Sequence, residues 1–125
     1  MNQRVAVMYL DVCRDQAASS PEVVASAMLG QCWLVLARPA ICITLVEAGL
    51  VDVGMALLRQ PSPVEWVNWR SSAGKQCSQV FAAFGLIFQQ ELPGINKTQL
   101  LIDSGMVDAV ASLLKVCRRP ALAHA

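Results

Sequence analysis

The chain has 125 residues, of which 55% are hydrophobic and 15% are charged, and its formal net charge is +1. A typical globular domain is about 45–50% apolar and about 25% charged, so the composition predicts either an apolar face that a partner covers or a chain that is a piece of a longer protein. The interspersed charges form no basic patch of the kind that binds nucleic acid, and no unbroken run of about 20 apolar residues predicts a membrane span. We therefore expect neither nucleic acid nor a membrane as a partner.

Prolines and glycines divide the first half of the chain into four helix-length segments. Apolar residues at helical spacing predict a helix over 3–16, and Ser20-Pro21 opens a second helix that ends at Arg38-Pro39. A short helix over 40–48 stops at Gly49, because glycine readily adopts the left-handed conformation that ends many helices, and another helix follows over 50–60. The apolar residues that fall on one face of each segment are Val5, Tyr9, Val12, Cys13, Val24, Met28, Leu29, Trp33, Leu36, Val51, Leu57 and Leu58.

The second half opens with a capping box at residues 62–65. In this motif the side chains of Ser62 and Glu65 each bond the other residue's backbone amide, which starts a helix. We predict that this helix carries Trp66 and Trp69 on one face and breaks at residues 71–74. Two roles stay open for these tryptophans: they pack this segment against the rest of the chain, or they form an exposed binding hot spot.

Three more helices are predicted, over 75–91, 97–104 and 106–117. The first of them places Phe81, Phe84 and Phe88 on one stripe. Two interpretations stay open: the stripe is core, or Phe88 and Trp33 line an apolar groove for a partner helix or a hydrophobic peptide. No segment alternates with period two between turn signals, so the predicted fold class is all-α.

The sequence also matches itself in two blocks. Residues 45–53 (LVEAGLVDV) align with 101–109 (LIDSGMVDA), and the alignment continues with 56–59 (ALLR) on 112–115 (SLLK) at the same offset of 56. Upstream, Leu29-Gly30 and Trp33 align with Phe84-Gly85 and Phe88 at an offset of 55. Such a period predicts stacked helical units that bury their apolar faces against each other.

The glycine junctions at 46–51 and 102–107 resemble the junction between the first two helices of armadillo repeats, and the resemblance covers residues 20–117. It implies a right-handed α–α superhelix of about two repeats with an extra N-terminal helix. The chain would then be a single domain over 1–125 with a flexible tail over 118–125. The spacing is longer than the roughly 42 residues of armadillo repeats, with the surplus around residues 66–75.

In armadillo proteins the third helix of each repeat lines a concave groove. The resemblance therefore implies a partner-binding groove formed by Leu29, Trp33, Phe84 and Phe88. Importin-type members carry a tryptophan and, four residues later, an asparagine in this helix. Aromatic residues occupy the asparagine positions here, so recognition of basic nuclear-import peptides is not expected.

Residues able to carry catalysis or bind a metal do not converge in the sequence. The five cysteines form no Cys-x-x-Cys pair, and the sole histidine is His124. We expect buried, reduced thiols, no enzyme activity, no cofactor, and a place in the cytoplasm or the nucleus.

Two functions stay open. The chain is an interaction scaffold for a protein or peptide, or it is a structural fragment of a longer solenoid without binding of its own. The small residues Ala109, Ala111 and Ser112 on the last helix also predict self-association or continuation into further repeats.

Overall fold

A computed structural model of the chain describes the backbone of residues 2–61 and 63–123 and the side chains of residues 2–61 and 65–116. Within these ranges the protein is all-helical and contains no strand, which confirms the predicted fold class. The helices are α1 (Gln3–Gln16), α2 (Pro21–Leu34), α3 (Pro39–Glu47), α4 (Leu50–Arg59), α5 (Pro63–Trp66), α6 (Ser72–Phe88), α7 (Lys97–Asp103) and α8 (Met106–Ala123).

The helix boundaries follow local signals that the sequence displays. Pro21 and Pro39 occupy the first turns of α2 and α3, where the missing amide hydrogen costs nothing. Asn2 and Asn96 cap α1 and α7 by accepting bonds from the amides of Val5 and Gln99. Helix α8 extends past the predicted end at residue 117, so the predicted tail over 118–125 falls partly on α8 and partly outside the described residues.

The segment between α4 and α6 differs from the prediction. Helix α5 ends at Trp66, and α6 begins at Ser72, so the break lies before the expected 71–74. The hydroxyl of Ser71 accepts a 3.0 Å bond from the amide of Gly74, and this cap starts α6 early. The predicted capping bond between Ser62 and Glu65 lies outside the described residues.

Left-handed glycines join two pairs of helices. Gly49 has a φ of 103° between α3 and α4, and Gly105 has a φ of 87° between α7 and α8. Both values lie where a side chain is disfavoured, and the sequence predicted this conformation for Gly49. None of the described helices is long and apolar enough to span a membrane alone; only α3 and α4 together reach that length and hydropathy, and they are bent by 57°.

The core forms where α2 and α6 pack on α4. Ser26 on α2 lies 3.0 Å from Gln79 on α6, and later residues of both helices, Met28 and Phe84, meet at Gly54. Helices α2 and α6 therefore run in the same direction. The inward residues Leu57 and Leu58 of α4 are fully buried, as predicted.

One arginine contact occurs twice. Arg14, at the end of α1, donates a 2.6 Å bond from Nη2 to the carbonyl of Ala48, the residue before Gly49. Arg59, at the end of α4, donates a 3.0 Å bond from Nη2 to the carbonyl of Ser104, the residue before Gly105. Thus α1 contacts the α3–α4 junction in the way that α4 contacts the α7–α8 junction.

Candidate functional site

The four residues of the predicted groove do not share one open surface. Trp33 is 59% exposed, whereas Phe84 is only 4% exposed. Leu29 and Phe88 are half-buried and pack against the core. The helices α2 and α6 that carry these residues do lie together, but each side chain has a different environment.

Phe84 is a core residue for a reason specific to this packing. Its ring points at Gly54 so closely that a Cβ on that glycine would lie 2.2 Å from the Cζ atom of Phe84 and 3.3 Å from the Cε atom of Met28. The Phe88 ring follows at a centroid distance of 6.3 Å from the Phe84 ring. Phe84 therefore lies in the core, as the core interpretation of the phenylalanine stripe has it, because the missing side chain of Gly54 leaves room for its ring.

The two tryptophans predicted to share a face are separated. Trp66 ends α5, is 9% exposed and meets the Phe81 ring edge-on at 6.2 Å. Trp69 lies in the following turn, is 67% exposed and stacks with the guanidinium of Arg70 at 5.0 Å. The segment thus contributes one core tryptophan and one surface tryptophan.

An exposed apolar row runs along α1. It consists of Val5, Met8, Tyr9 and Val12, and we refer to it as the N-terminal row. The buried face of the same helix consists of Ala6, Leu10 and Cys13, and Ala17 is buried directly after its end. The one-face grouping of Val5, Tyr9 and Val12 with Cys13 is thus corrected: Cys13 faces the core and the other three face outward.

A second exposed row runs along α8. It consists of Val107, Val110, Ala111 and Leu114, the C-terminal row. The sequence pointed to this helix through Ala109, Ala111 and Ser112, but Ala109 and Ser112 are half-buried and only Ala111 is exposed. The i, i+3, i+4, i+7 spacing common to both rows is the signal that identifies them.

A third apolar surface lies on α2. Trp33 and Leu34 are adjacent and exposed near the end of this helix, and Val23 is exposed near its start. Gly30, one turn before Trp33, has no atom within 4 Å of the position that a Cβ would take. The approach to Trp33 along α2 is therefore sterically open.

Two clefts lie between helices α1, α4 and α8. The larger one, of about 330 Å³, lies between α4 and α8, and the smaller one, of about 220 Å³, lies between α1 and α4. The larger cleft is lined by Met55, Leu58, Arg59, Pro61, Trp66, Gly105, Asp108, Ala109 and Ser112. The smaller one is lined by Arg14, Ala17, Asp52, Val53 and Ala56. Both are open clefts.

The thiols in the described part of the chain are free and buried. Burial raises the pKa of Cys32 to about 12, with a further increase from nearby Cys42. Burial likewise raises the pKa of Cys77 to about 12, with a contribution from the charge of Glu65. These thiols are protonated at neutral pH, which is the opposite of an activated nucleophile.

Potential metal ligands are dispersed. Among the described residues, no group of three or more histidine, cysteine, aspartate or glutamate side chains could hold a metal ion. The functional features that the geometry offers are thus the apolar surfaces on α1, α2 and α8. Comparisons of the chain with protein-family models, with curated proteins and with solved structures gave no match.

Proposed function

We propose that the chain is a non-catalytic protein–protein interaction module, built as an armadillo-like right-handed solenoid of about two repeats with an extra N-terminal helix. The exposed pair Trp33 and Leu34 on α2 carries this proposal. Surface apolar residues occur singly on most monomeric proteins, and rows of large ones mark interaction sites.

Three observations support the solenoid architecture. The aligned sequence blocks carry glycines with a left-handed backbone at equivalent positions, Gly49 and Gly105. The contact of Arg14 with its glycine junction recurs at Arg59. The matched helices α2 and α6 pack side by side in the same direction, as third helices of stacked repeats would.

The surface around Trp33 suits a protein or peptide partner with apolar anchor residues. Tryptophan dominates binding hot spots because its large rigid ring buries much apolar area at a small entropic cost. The open space at Gly30 lets the backbone of a partner approach the Trp33 ring from the side. Leu34 widens the apolar patch, and Leu29 and Phe88, on α2 and α6, are half-buried against the core.

The burial and the raised pKa of the thiols support the proposal of a non-catalytic protein. Cys32 and Cys77 are buried and have a raised pKa. Free thiols in four buried positions also suit a reducing compartment, so we propose the cytoplasm or the nucleus as the location.

Affinity capture with two matched tryptophan variants tests the proposal. Wild-type protein, Trp33→Ala and Trp69→Ala would be used as bait on a lysate, since both tryptophans are well exposed and only one lies on α2. We expect a specific partner that wild type and Trp69→Ala retain and that Trp33→Ala loses, with unchanged circular dichroism for all three. A wild-type bait without a specific partner, or a Trp33→Ala bait that retains every partner, would overturn the proposed role of this surface.

A further inference from the structure

We propose that the chain forms a symmetric dimer, in which the N-terminal row of α1 packs antiparallel on the same row of a second copy. The inference goes beyond the proposed function, since it concerns α1 and not the tryptophan surface of α2. It names one occupant for an apolar surface that no described part of the chain covers.

The N-terminal row is a substantial apolar surface. Its four side chains are between 39% and 61% exposed, and Met8 and Val12 are about as exposed as Trp33. The opposite face of α1 supplies the residues that this helix buries in the core. The row is therefore not needed to hold α1 in place, and a row of large apolar side chains on one helix marks a contact surface.

The row has the same spacing when it is read in either direction. Val5 and Met8 are three residues apart, Met8 and Tyr9 are adjacent, and Tyr9 and Val12 are again three residues apart. An antiparallel copy of α1 therefore places Val5 opposite the partner's Val12 and brings Met8 and Tyr9 to the two-fold axis. A two-fold dimer requires this property, because the same patch must fit itself. Methionine and tyrosine are also enriched in protein interfaces.

The charges of α1 leave one opposite pair unused. The helix carries four charged residues, and two of them, Asp11 and Arg14, bond each other at 2.6 Å. The other two, Arg4 and Asp15, are exposed and have no hydrogen bond or ion pair among the described residues. A base near the start of α1 and an acid near its end are thus available to a second copy.

The symmetric arrangement brings this base and this acid together. Arg4 and Asp15 are eleven residues apart, about three helical turns, so both lie on the side of α1 that carries Met8. With Val5 opposite the partner's Val12, Arg4 and the partner's Asp15 are offset by two residues, about 3 Å along the axis. The two-fold axis makes this pair twice. A parallel arrangement would place like charges together, so electrostatics favours the antiparallel one.

The C-terminal row on α8 is a less suitable surface for the same contact. It has the same spacing, but its central pair is Val110 and Ala111, where the N-terminal row has Met8 and Tyr9. A contact centred on alanine buries less apolar surface, and burial of apolar surface is the main driving force of association. We therefore assign the dimer contact to α1.

The size of the contact sets the expected affinity. Four side chains per copy bury less than the roughly 800 Å² per partner of stable complexes. We therefore expect reversible association in the micromolar range. Because an isologous contact uses the same patch on both copies, association should stop at the dimer.

Sedimentation velocity of the full chain over low to high micromolar concentrations tests the contact. Wild type should pass from monomer to dimer and form nothing larger. Val12→Glu places a carboxylate against the partner's Val5 and should remain monomeric. Val23→Glu on α2 and Leu114→Glu on α8 are the matched controls, since these residues are 69% and 58% exposed and Val12 is 61% exposed. Both controls should dimerise like the wild type.

An exchange of charges tests the antiparallel direction. Arg4→Asp and Asp15→Arg each turn two attractions between copies into repulsions, so each should weaken dimerisation about tenfold. An equimolar mixture of the two variants should regain the affinity of the wild type as a heterodimer, because the acids of one variant then face the bases of the other. Both changes suit the dipole of α1, so helical circular dichroism should be unchanged.

Defined results would overturn the inference. Wild type that stays monomeric at high micromolar concentration, Val12→Glu that dimerises like the wild type, or Leu114→Glu that stays monomeric would each exclude the α1 contact. A mixture of Arg4→Asp and Asp15→Arg that associates no better than either variant alone would exclude the antiparallel direction. Capture of a partner through Trp33 is measured separately, so either proposal can fail without the other.

Discussion

Replacing Gly54 by alanine would test the central packing contact of the molecule. The added methyl group would lie 2.2 Å from Cζ and 2.7 Å from Cε1 of Phe84, and 3.3 Å from Cε of Met28. The first two distances are far inside van der Waals contact. The Phe84 ring is 4% exposed, so relieving the clash requires the ring or α6 to shift within the packed core.

Two opposing effects set the size of the change. Alanine in a helix interior is favoured over glycine by about 1 kcal/mol. Extra atoms in a well-packed core cost about 1–3 kcal/mol, and the two close ring contacts place Gly54 at the upper end of that range. We expect Gly54→Ala to lower the free energy of unfolding by about 2 kcal/mol, because the packing cost exceeds the gain in helix propensity.

Urea denaturation followed by circular dichroism measures this difference, with Gly85→Ala as the control. Gly85 is also helical, but no atom lies within 4 Å of its Cβ position, so alanine there should stabilise the protein by about 0.5–1 kcal/mol. The double variant Gly54→Ala/Phe84→Leu should lose less stability than the sum of its two single variants. If Gly54→Ala were as stable as the wild type or more stable, the assigned contact between Phe84 and Gly54 would be refuted.

Two further predictions concern a helix junction and the buried thiols. Arg59→Met should lower stability by about 1 kcal/mol through loss of the bond to the Ser104 carbonyl, and Arg70→Met, which loses only a surface contact with Trp69, should change it less in the same denaturation assay. Stability should also fall as the pH rises from about 9 towards about 12, because folded Cys32 keeps its proton there while the unfolded thiol loses it. In thermal melts at increasing pH, the melting temperature of Cys32→Ala should decline less steeply than that of the wild type. An equal decline would contradict the raised pKa of Cys32.

The helices were predictable because their ends carry local signals. Proline at the start of α2 and α3 and left-handed glycine before α4 and α8 act within one turn of the chain, so no tertiary information is needed to read them. The end of α5 was not predictable in this way. The Ser71 cap competes with a continuous helix through Trp69, and the sequence does not show which of the two alternatives the packing of Trp66 favours.

The groove was less predictable than the helices that carry it. Position matching placed the four groove residues on α2 and α6, and the structure does bring these two helices together. The burial of Phe84, however, depends on Gly54, which lies 30 residues earlier in another helix. Helical periodicity reports which residues share a face of one helix. It does not report which neighbouring helix leaves room for a ring.

The same limit explains the exposed rows on α1 and α8. Helices α1, α4 and α8 all carry apolar residues at i, i+3, i+4 and i+7, and this spacing is buried in α4 but exposed in the other two. In the proposed stack an interior helix carries apolar residues on both sides, and the same pattern in α1 and α8 leaves one apolar side exposed. The sequence therefore encodes the surface that a neighbouring layer would cover, while only the three-dimensional arrangement shows that no described part of this chain covers it. That difference, and not the overall apolar composition, is what identifies the N-terminal and C-terminal rows as exposed apolar surfaces of the described helices.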